Sequence, residues 1–253
     1  MIQRDTLHAY CNELLQTHRF RDYCPNGLQI EGREEISSLV TGVTACQALI
    51  DAAIDLNADA ILVHHGYFWK GEDASLTGIK RKRIKALLDA DINLFAYHLP
   101  LDAHAELGNN AQLGQRLGLN TLETFGGEGR QPDIVWLGET NQAMSASALQ
   151  AHIEQALTRT PEIVDAGPET IKRVAWCTGA AQSYFEEAIQ RGVDAFISGE
   201  ISEQTVHLAR EYGVHYVAAG HHATERYGVQ ALGAHIGEKF TIEVKNVDID
   251  NPV

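Results

Sequence analysis

The 253-residue chain has no apolar run near the roughly 18 residues that a membrane-spanning helix needs. Its start, MIQRDTLHAY, lacks the basic-then-apolar layout of a secretory leader. Both absences predict a soluble, cytoplasmic protein with no membrane partner. The four cysteines, Cys11, Cys24, Cys46 and Cys177, form no C-x-x-C pair. That argues against a disulfide framework and a thiolate zinc site, and leaves buried thiols in a reducing compartment. Positive charge is in deficit, with 20 Lys and Arg against 34 Asp and Glu and a net charge of −14. The basic footprint of a nucleic-acid binder is therefore missing. The local exception, Lys80-Arg81-Lys82-Arg83, is expected at a helix start, as a solvated face or anion contact. Also missing are GxxxxGK[ST], GxSxG and HExxH, and Gly126, Gly127 and Gly129 do not have dinucleotide-loop spacing. An apolar fraction of 44% and a charged fraction of 21% are ordinary globular values and exclude a disordered or fibrous chain.

Histidine is what the chain has in excess. There are 12, and seven of them cluster in the windows 64–104 and 215–222. Around them, short apolar runs alternate with helical patterns. Leu39-Val40-Thr41-Gly42-Val43, Asp59-Ala60-Ile61-Leu62-Val63 and Ile92-Asn93-Leu94-Phe95-Ala96-Tyr97 predict strands. The apolar spacing over 47–56 and 79–90 predicts helices, as does that over 4–17. Short apolar strands between helices of this length define an α/β chain whose strands are buried on both faces.

The chain then repeats itself at an offset of 135. Gln47 meets Gln182, Ala53 meets Ala188, Ile54 meets Ile189, Asp59 meets Asp194 and Ala60 meets Ala195. A second correspondence follows the next strand. His98-Leu99-Pro100-Leu101-Asp102 and His221-His222-Ala223-Thr224-Glu225 each place a histidine and a carboxylate four residues apart. Two related α/β lobes are expected, 1–123 and 124–253, in one compact unit with a metal site between them. The stretch Thr124-Phe125-Gly126-Gly127-Glu128-Gly129-Arg130-Gln131-Pro132 reads as their connection. A strand (134–138), a helix (145–158) and a further strand should follow it.

Three clusters lie at the carboxyl ends of apolar strands, where open α/β sheets gather ligands. In Ala60-Ile61-Leu62-Val63-His64-His65-Gly66, adjacent histidines on extended backbone should point in different directions. In the second, Asp102 offers a hard oxygen and His98 a ligand or an oriented donor behind one, while Pro100 should keep a helix from starting too early. In the third, the i, i+4 pair His221 and Glu225 shares one helix face, and His222 is the weaker candidate. Each cluster alone also reads as structure: capping histidines, an N-cap at Asp102, an acidic helix start. Their convergence favours a shared metal site. His64, His65, Asp102, His221 and Glu225 form a nitrogen and oxygen set suited to zinc, iron, manganese, nickel or cobalt. Five donors exceed what a mononuclear catalytic zinc uses and suit two ions bridged by a carboxylate, the geometry of hydrolytic two-metal sites. Tyr67-Phe68-Trp69 follows the histidine pair as packing or as a pocket wall.

Taken together, ILVHHGYFWKG, YHLPLDAHAELGNN, CTGAAQSYFEEA, VDAFISGE and AAGHHATERYG resemble the NIF-three-like family, whose members are commonly labelled GTP cyclohydrolase I type 2 homologues. The resemblance is to the short bacterial form and runs from PNGLQIEG to the closing strand near 245. It implies a two-lobed α/β fold and two divalent transition-metal ions (iron, zinc or manganese) on His64, His65, Asp102, His221 and Glu225. It gives His98 an auxiliary place behind the ligands, while in the hydrolase reading His98 or a neighbouring histidine serves as the proton shuttle. It implies a toroidal homohexamer and, through the label, hydrolytic opening of the guanine ring of GTP. The primary expectation is a metal-dependent hydrolase of a small nucleotide-related substrate. The alternative is a non-catalytic, metal-stabilised binding or scaffold protein.

Overall fold

The structure is a computed structural model that describes residues 1–129 and 131–253. The first elements are β1 (Ile2–Gln3), α1 (Arg4–Leu14), β2 (Gly27–Ile30), β3 (Glu35–Ile36) and β4 (Ser38–Thr44). Next come α2 (Gln47–Asp55), β5 (Ala60–His65), α3 (Gly78–Asp89), β6 (Asn93–Ala96) and α4 (Leu99–Ala103). They are followed by α5 (Asn109–Arg116), β7 (Leu119–Phe125), β8 (Val135–Met144), α6 (Ala146–Leu157), β9 (Glu162–Val164) and β10 (Ile171–Cys177). The chain closes with α7 (Phe185–Gln190), β11 (Ala195–Ser198), α8 (Glu203–Tyr212), β12 (His215–Ala218), α9 (His221–Phe240) and β13 (Glu243–Asn246). The expected strands and helices of the α/β reading are present, with ends shifted by a few residues. The first helix stops early, at Leu14, because Gln16 takes a left-handed conformation at φ 50°.

Two compact units result. The first comprises residues 1–108 and 228–250, the second 109–227 and 251–253. These bounds differ from a cut at 123/124. Strand β7 pairs with β8, which draws the residues before the glycine-rich stretch into the second unit. Strand β13 pairs parallel with β4, which returns the end of the chain to the first. The expected connection begins two residues late, since Thr124 and Phe125 still belong to β7; Arg130 lies outside the described residues.

In the first unit a five-stranded sheet runs β13-β4-β5-β6-β2, parallel except for the β2–β6 pair. Alternate strand residues feed two cores. Leu39, Ala60, Leu62 and Phe95 pack on one face with α1 residues Leu7 and Cys11 and α9 residues Val229, Leu232 and Ile236. Val40, Ile61, Val63 and Leu94 pack on the other with Leu49, Ile50, Ile84 and Leu87 from α2 and α3. The period of two between the faces explains the unbroken apolar runs, since neither face is left for water.

The second unit builds the same device on a six-stranded sheet, β7-β8-β10-β11-β12-β9, with β10, β11 and β12 parallel. Val174, Trp176, Ala195, Ile197 and Val217 face one core and Ala175, Phe196, Tyr216 and Ala218 the other. The duplication extends to hydrogen bonds. Asp59 Oδ2 accepts from the backbone N–H of Ser37 at 2.8 Å and of Ser38 at 3.0 Å. Asp194 Oδ2 accepts from Lys172 and Arg173, both at 2.8 Å. Each carboxylate thus fastens the start of the first strand of its β-α-β unit to the start of the second. No helix among the described residues is long and apolar enough to cross a membrane.

Candidate metal centre

Strand β5 delivers His64 and His65 at its carboxyl end. The pleat assigns them to opposite faces, yet their ring centroids are 4.5 Å apart, so the expected divergence does not persist to the ring tips. His64 is fully buried, and His65 is half-buried. His98, just after β6, brings its ring centroid to 5.1 Å from His64 and 5.8 Å from His65. One ring nitrogen of each of the three lies within 4.8 Å of the others. Asp102 joins them from α4, its Oδ1 3.6 Å from His64 Nε2. Pro100 does not delay this helix. It sits in the first turn, where its missing N–H costs nothing, and Asp102 lies inside the helix rather than at an N-cap.

The second unit delivers His221 and Glu225 on one face of α9, His221 Nε2 lying 3.2 Å from Glu225 Oε2. Glu225 is buried, and His222 spends its backbone N–H on Val253 O at 2.9 Å. Gly179, at φ +67°, faces this pair. A Cβ there would collide with Glu225 Oε1 and come within 3.2 Å of His221 Nε2, so the backbone leaves space at the donors that any side chain would fill.

All four imidazoles make a protein contact through Nδ1. His64 Nδ1 meets Tyr97 O at 3.0 Å and His65 Nδ1 meets Thr44 Oγ1 at 3.2 Å. His98 Nδ1 meets Asp22 Oδ1, and His221 Nδ1 meets Glu200 Oε1, each at 2.7 Å. Metal-ligating histidines are held as His64 and His221 are, one ring nitrogen on a carbonyl or carboxylate and the other turned to the ion. With metal–ligand distances near 2.1 Å, the 3.2 and 3.6 Å nitrogen–oxygen separations would subtend about 100–120° at an ion, which brackets the tetrahedral angle. The donors fit a divalent transition metal in type, orientation and spacing.

Electrostatics follow from the carboxylates. Burial lowers the His221 value, but Glu225 and Glu200 on its two nitrogens outweigh burial and raise it to about 9. Burial pushes the Asp22 carboxyl up, and this is overcome by His98, Asn26 and the Tyr23 N–H, leaving it below the usual carboxylate range. Burial holds Cys11 and Cys24 at about 12, as neutral thiols; Cys177 is buried as expected, while Cys46 is only half-buried. Of the aromatic trio, Tyr67 is buried with its hydroxyl on Ala45 O at 2.7 Å, which is packing. Trp69 stands edge-on to His98 at 5.0 Å and borders the histidines. The run Lys80-Arg81-Lys82-Arg83 lies in the first half of α3, where Lys80 pairs with Glu72 at 3.0 Å and Arg81 and Lys82 are exposed.

Two residues of this site were missed in the sequence. Asp22 comes from a loop 76 residues before His98, and no local pattern marks it. Glu200 carried a signal, because the offset of 135 places it opposite His65. The strand registers also adjust the second correspondence. Ala60 pairs with Asn93, and Ala195 with His215, so His98 is the counterpart of Gly220, one residue before His221.

Duplicated β-α-β frames that carry imidazoles and carboxylates at their strand ends define a class of two-unit α/β proteins with donor groups that could hold a metal ion. Comparison with known proteins specifies the family. The profile of Duf34/NIF3 (NGG1p interacting factor 3) matches residues 2–252, and the chain belongs to that family. It is 53% identical over 251 residues to a Pseudomonas aeruginosa protein named GTP cyclohydrolase 1 type 2 homolog, covering 99% of each chain. It is 51% identical over 247 residues to one of the same name from Escherichia coli K12, covering 97% of this chain and 98% of that one. A solved structure described as protein ybgI, of unknown function, superimposes with a TM-score of 0.96 at 50% identity, covering all of both chains. TTHA1606 from Thermus thermophilus gives 0.89 at 29% identity, again covering all of both chains.

Proposed function

We propose that this protein is a metal-dependent hydrolase of a small, nucleotide-related substrate. Its two divalent transition-metal ions (iron, zinc or manganese) would be held by His64, His65, Asp102, His221 and Glu225. The observation that carries the proposal is the shared orientation of the imidazoles, each held at Nδ1, with Nε2 of His64 and of His221 turned towards a carboxylate. That the donors of the two units serve one dinuclear centre is part of the proposal and follows the family resemblance. The relatives' name, GTP cyclohydrolase 1 type 2 homolog, supports a nucleotide substrate and C–N bond hydrolysis. A cytoplasmic location and a homohexameric ring belong to the same reading.

Bound ions would supply polarisation of a substrate oxygen and a water ionised near neutral pH. The protein's own groups orient and transfer. Tyr97 O and Thr44 Oγ1 fix the His64 and His65 rings. His98, held at Nδ1 by Asp22 beside these rings, would carry a proton to or from the reacting group. Trp69 walls the His98 side.

Elemental analysis of tag-free protein purified without chelator tests the proposal, with Glu225→Ala and Asp102→Ala alongside. About two ions per chain in the parent and loss of at least one in each soluble variant are expected. Both ions retained in the variants would overturn the ligand assignment. Metal whose removal unfolds the protein, with no nucleotide turned over, would favour the scaffold reading.

A further inference from the structure

The donor set leaves one acidic residue without a role. Glu200 follows β11 and lies 135 residues after His65, the last residue of β5. Its carboxylate Oε1 lies 2.7 Å from His221 Nδ1, while His221 Nε2 lies 3.2 Å from Glu225 Oε2. The imidazole is thus held between two carboxylates, one on each nitrogen. The segment bearing Glu200 is itself clamped. The Tyr216 hydroxyl donates to Glu200 O at 2.6 Å, Gly199 N–H donates to Gly179 O at 2.8 Å, and Gly220 N–H donates to Gly199 O at 3.0 Å. These bonds tie the ends of β10, β11 and β12 to one another, so Glu200 starts from a fixed backbone position.

We propose that Glu200 is a positioning residue that locks the His221 ring with Nε2 towards the metal and strengthens that nitrogen as a ligand. The proposal rests on the metal-dependent reading and adds to it a residue outside the five ligands. Glu200 and His221 side chains are 35% and 27% exposed. An ordinary ion pair at such exposure contributes little, about 0–1 kcal/mol. A carboxylate behind a metal-bound imidazole has a separate signature, since its loss weakens metal affinity about 10–100-fold.

The test measures zinc affinity by chelator competition on Glu200→Ala, Glu200→Gln and Glu225→Ala, each confirmed folded by circular dichroism without metal. The visible spectrum of the cobalt-loaded proteins is recorded alongside. Glu200→Ala is expected to bind at least one zinc about 10–100-fold more weakly and to change the cobalt spectrum. Glu200→Gln, which keeps an acceptor oxygen without the charge, should recover part of the affinity and the parent band shape. Zinc affinity within twofold of the parent in both Glu200 variants would overturn the proposal. Should Glu200→Ala fail to fold, Glu200→Gln decides by the same twofold criterion. Glu225→Ala separates the two readings. If it loses zinc while the Glu200 variants do not, only the role of Glu200 falls, whereas if it too keeps both ions, the metal assignment falls with it.

Discussion

Replacing Asp194 by alanine removes one oxygen that accepts two backbone N–H groups, those of Lys172 and Arg173, both at 2.8 Å. Hydrogen bonds to a charged acceptor contribute about 1.5–3 kcal/mol each. Lys172 and Arg173 are half-buried, so water can replace part of the loss, which places the cost at the lower end, about 3 kcal/mol for the pair. In a chain of this size that corresponds to a fall of about 6–12 °C in Tm. The Asp194→Asn change keeps one carbonyl oxygen, enough to accept both N–H groups, and loses only the charge, so it should cost about half as much. Thermal and urea unfolding of the metal-free proteins read the difference. Asp59→Ala is the matched test in the first unit, where the same arrangement also receives the Arg33 guanidinium at 2.8 Å. An Asp194→Ala protein within about 1 kcal/mol of the parent would refute the reasoning, since two charge-assisted bonds to strand ends would then be worth no more than a surface pair.

Two further outcomes are expected. The Asp22 carboxyl has a folded value below its unfolded one, so its stabilisation is present above the ordinary carboxylate range and is lost as pH falls through the lowered value. Asp22→Asn should therefore flatten the acid limb of the stability–pH curve, read by urea unfolding at successive pH values, while an unchanged limb would contradict the role of His98 in holding that charge. Gly179→Ala places a side chain at left-handed φ and into Glu225 Oε1, so it should lower both Tm and bound metal. Parent-like metal content by elemental analysis would show that the space beside Glu225 and His221 is not used.

Much of this was legible in the sequence because the strands are buried on both faces. Leu39 to Val43 and Ala60 to Val63 read as continuous apolar runs, and their residues feed two cores in alternation. The offset of 135 held through β-α-β because Asp59 and Asp194 perform the same hydrogen bonding in both copies. It could not carry over to the histidines after β6 and β12. The segment between β5 and α3 is much longer than that between β11 and α8, so the strand registers reset the correspondence and His98 falls opposite Gly220 rather than His221. Asp22 was invisible because its partner is 76 residues away and the link is purely tertiary. The unit boundaries were hidden for a related reason. Glycine-rich composition marks a flexible stretch of chain, whereas the units are set by which strands pair, β7 with β8 and β13 with β4.

The pairing of β13 with β4 also sets an order of events during synthesis. The first unit begins at residue 1 but cannot complete its sheet or its α9-lined core until residues 228–250 have been made. The second unit has nearly all its chain, 109–227, before then. Domains commonly finish folding in the order in which they leave the ribosome. Here the segment translated first must wait, with the β4 edge open to wrong partners, while the segment translated second can close. A nascent chain arrested before residue 243 should therefore show a protease-resistant second unit beside a first unit that is still digestible.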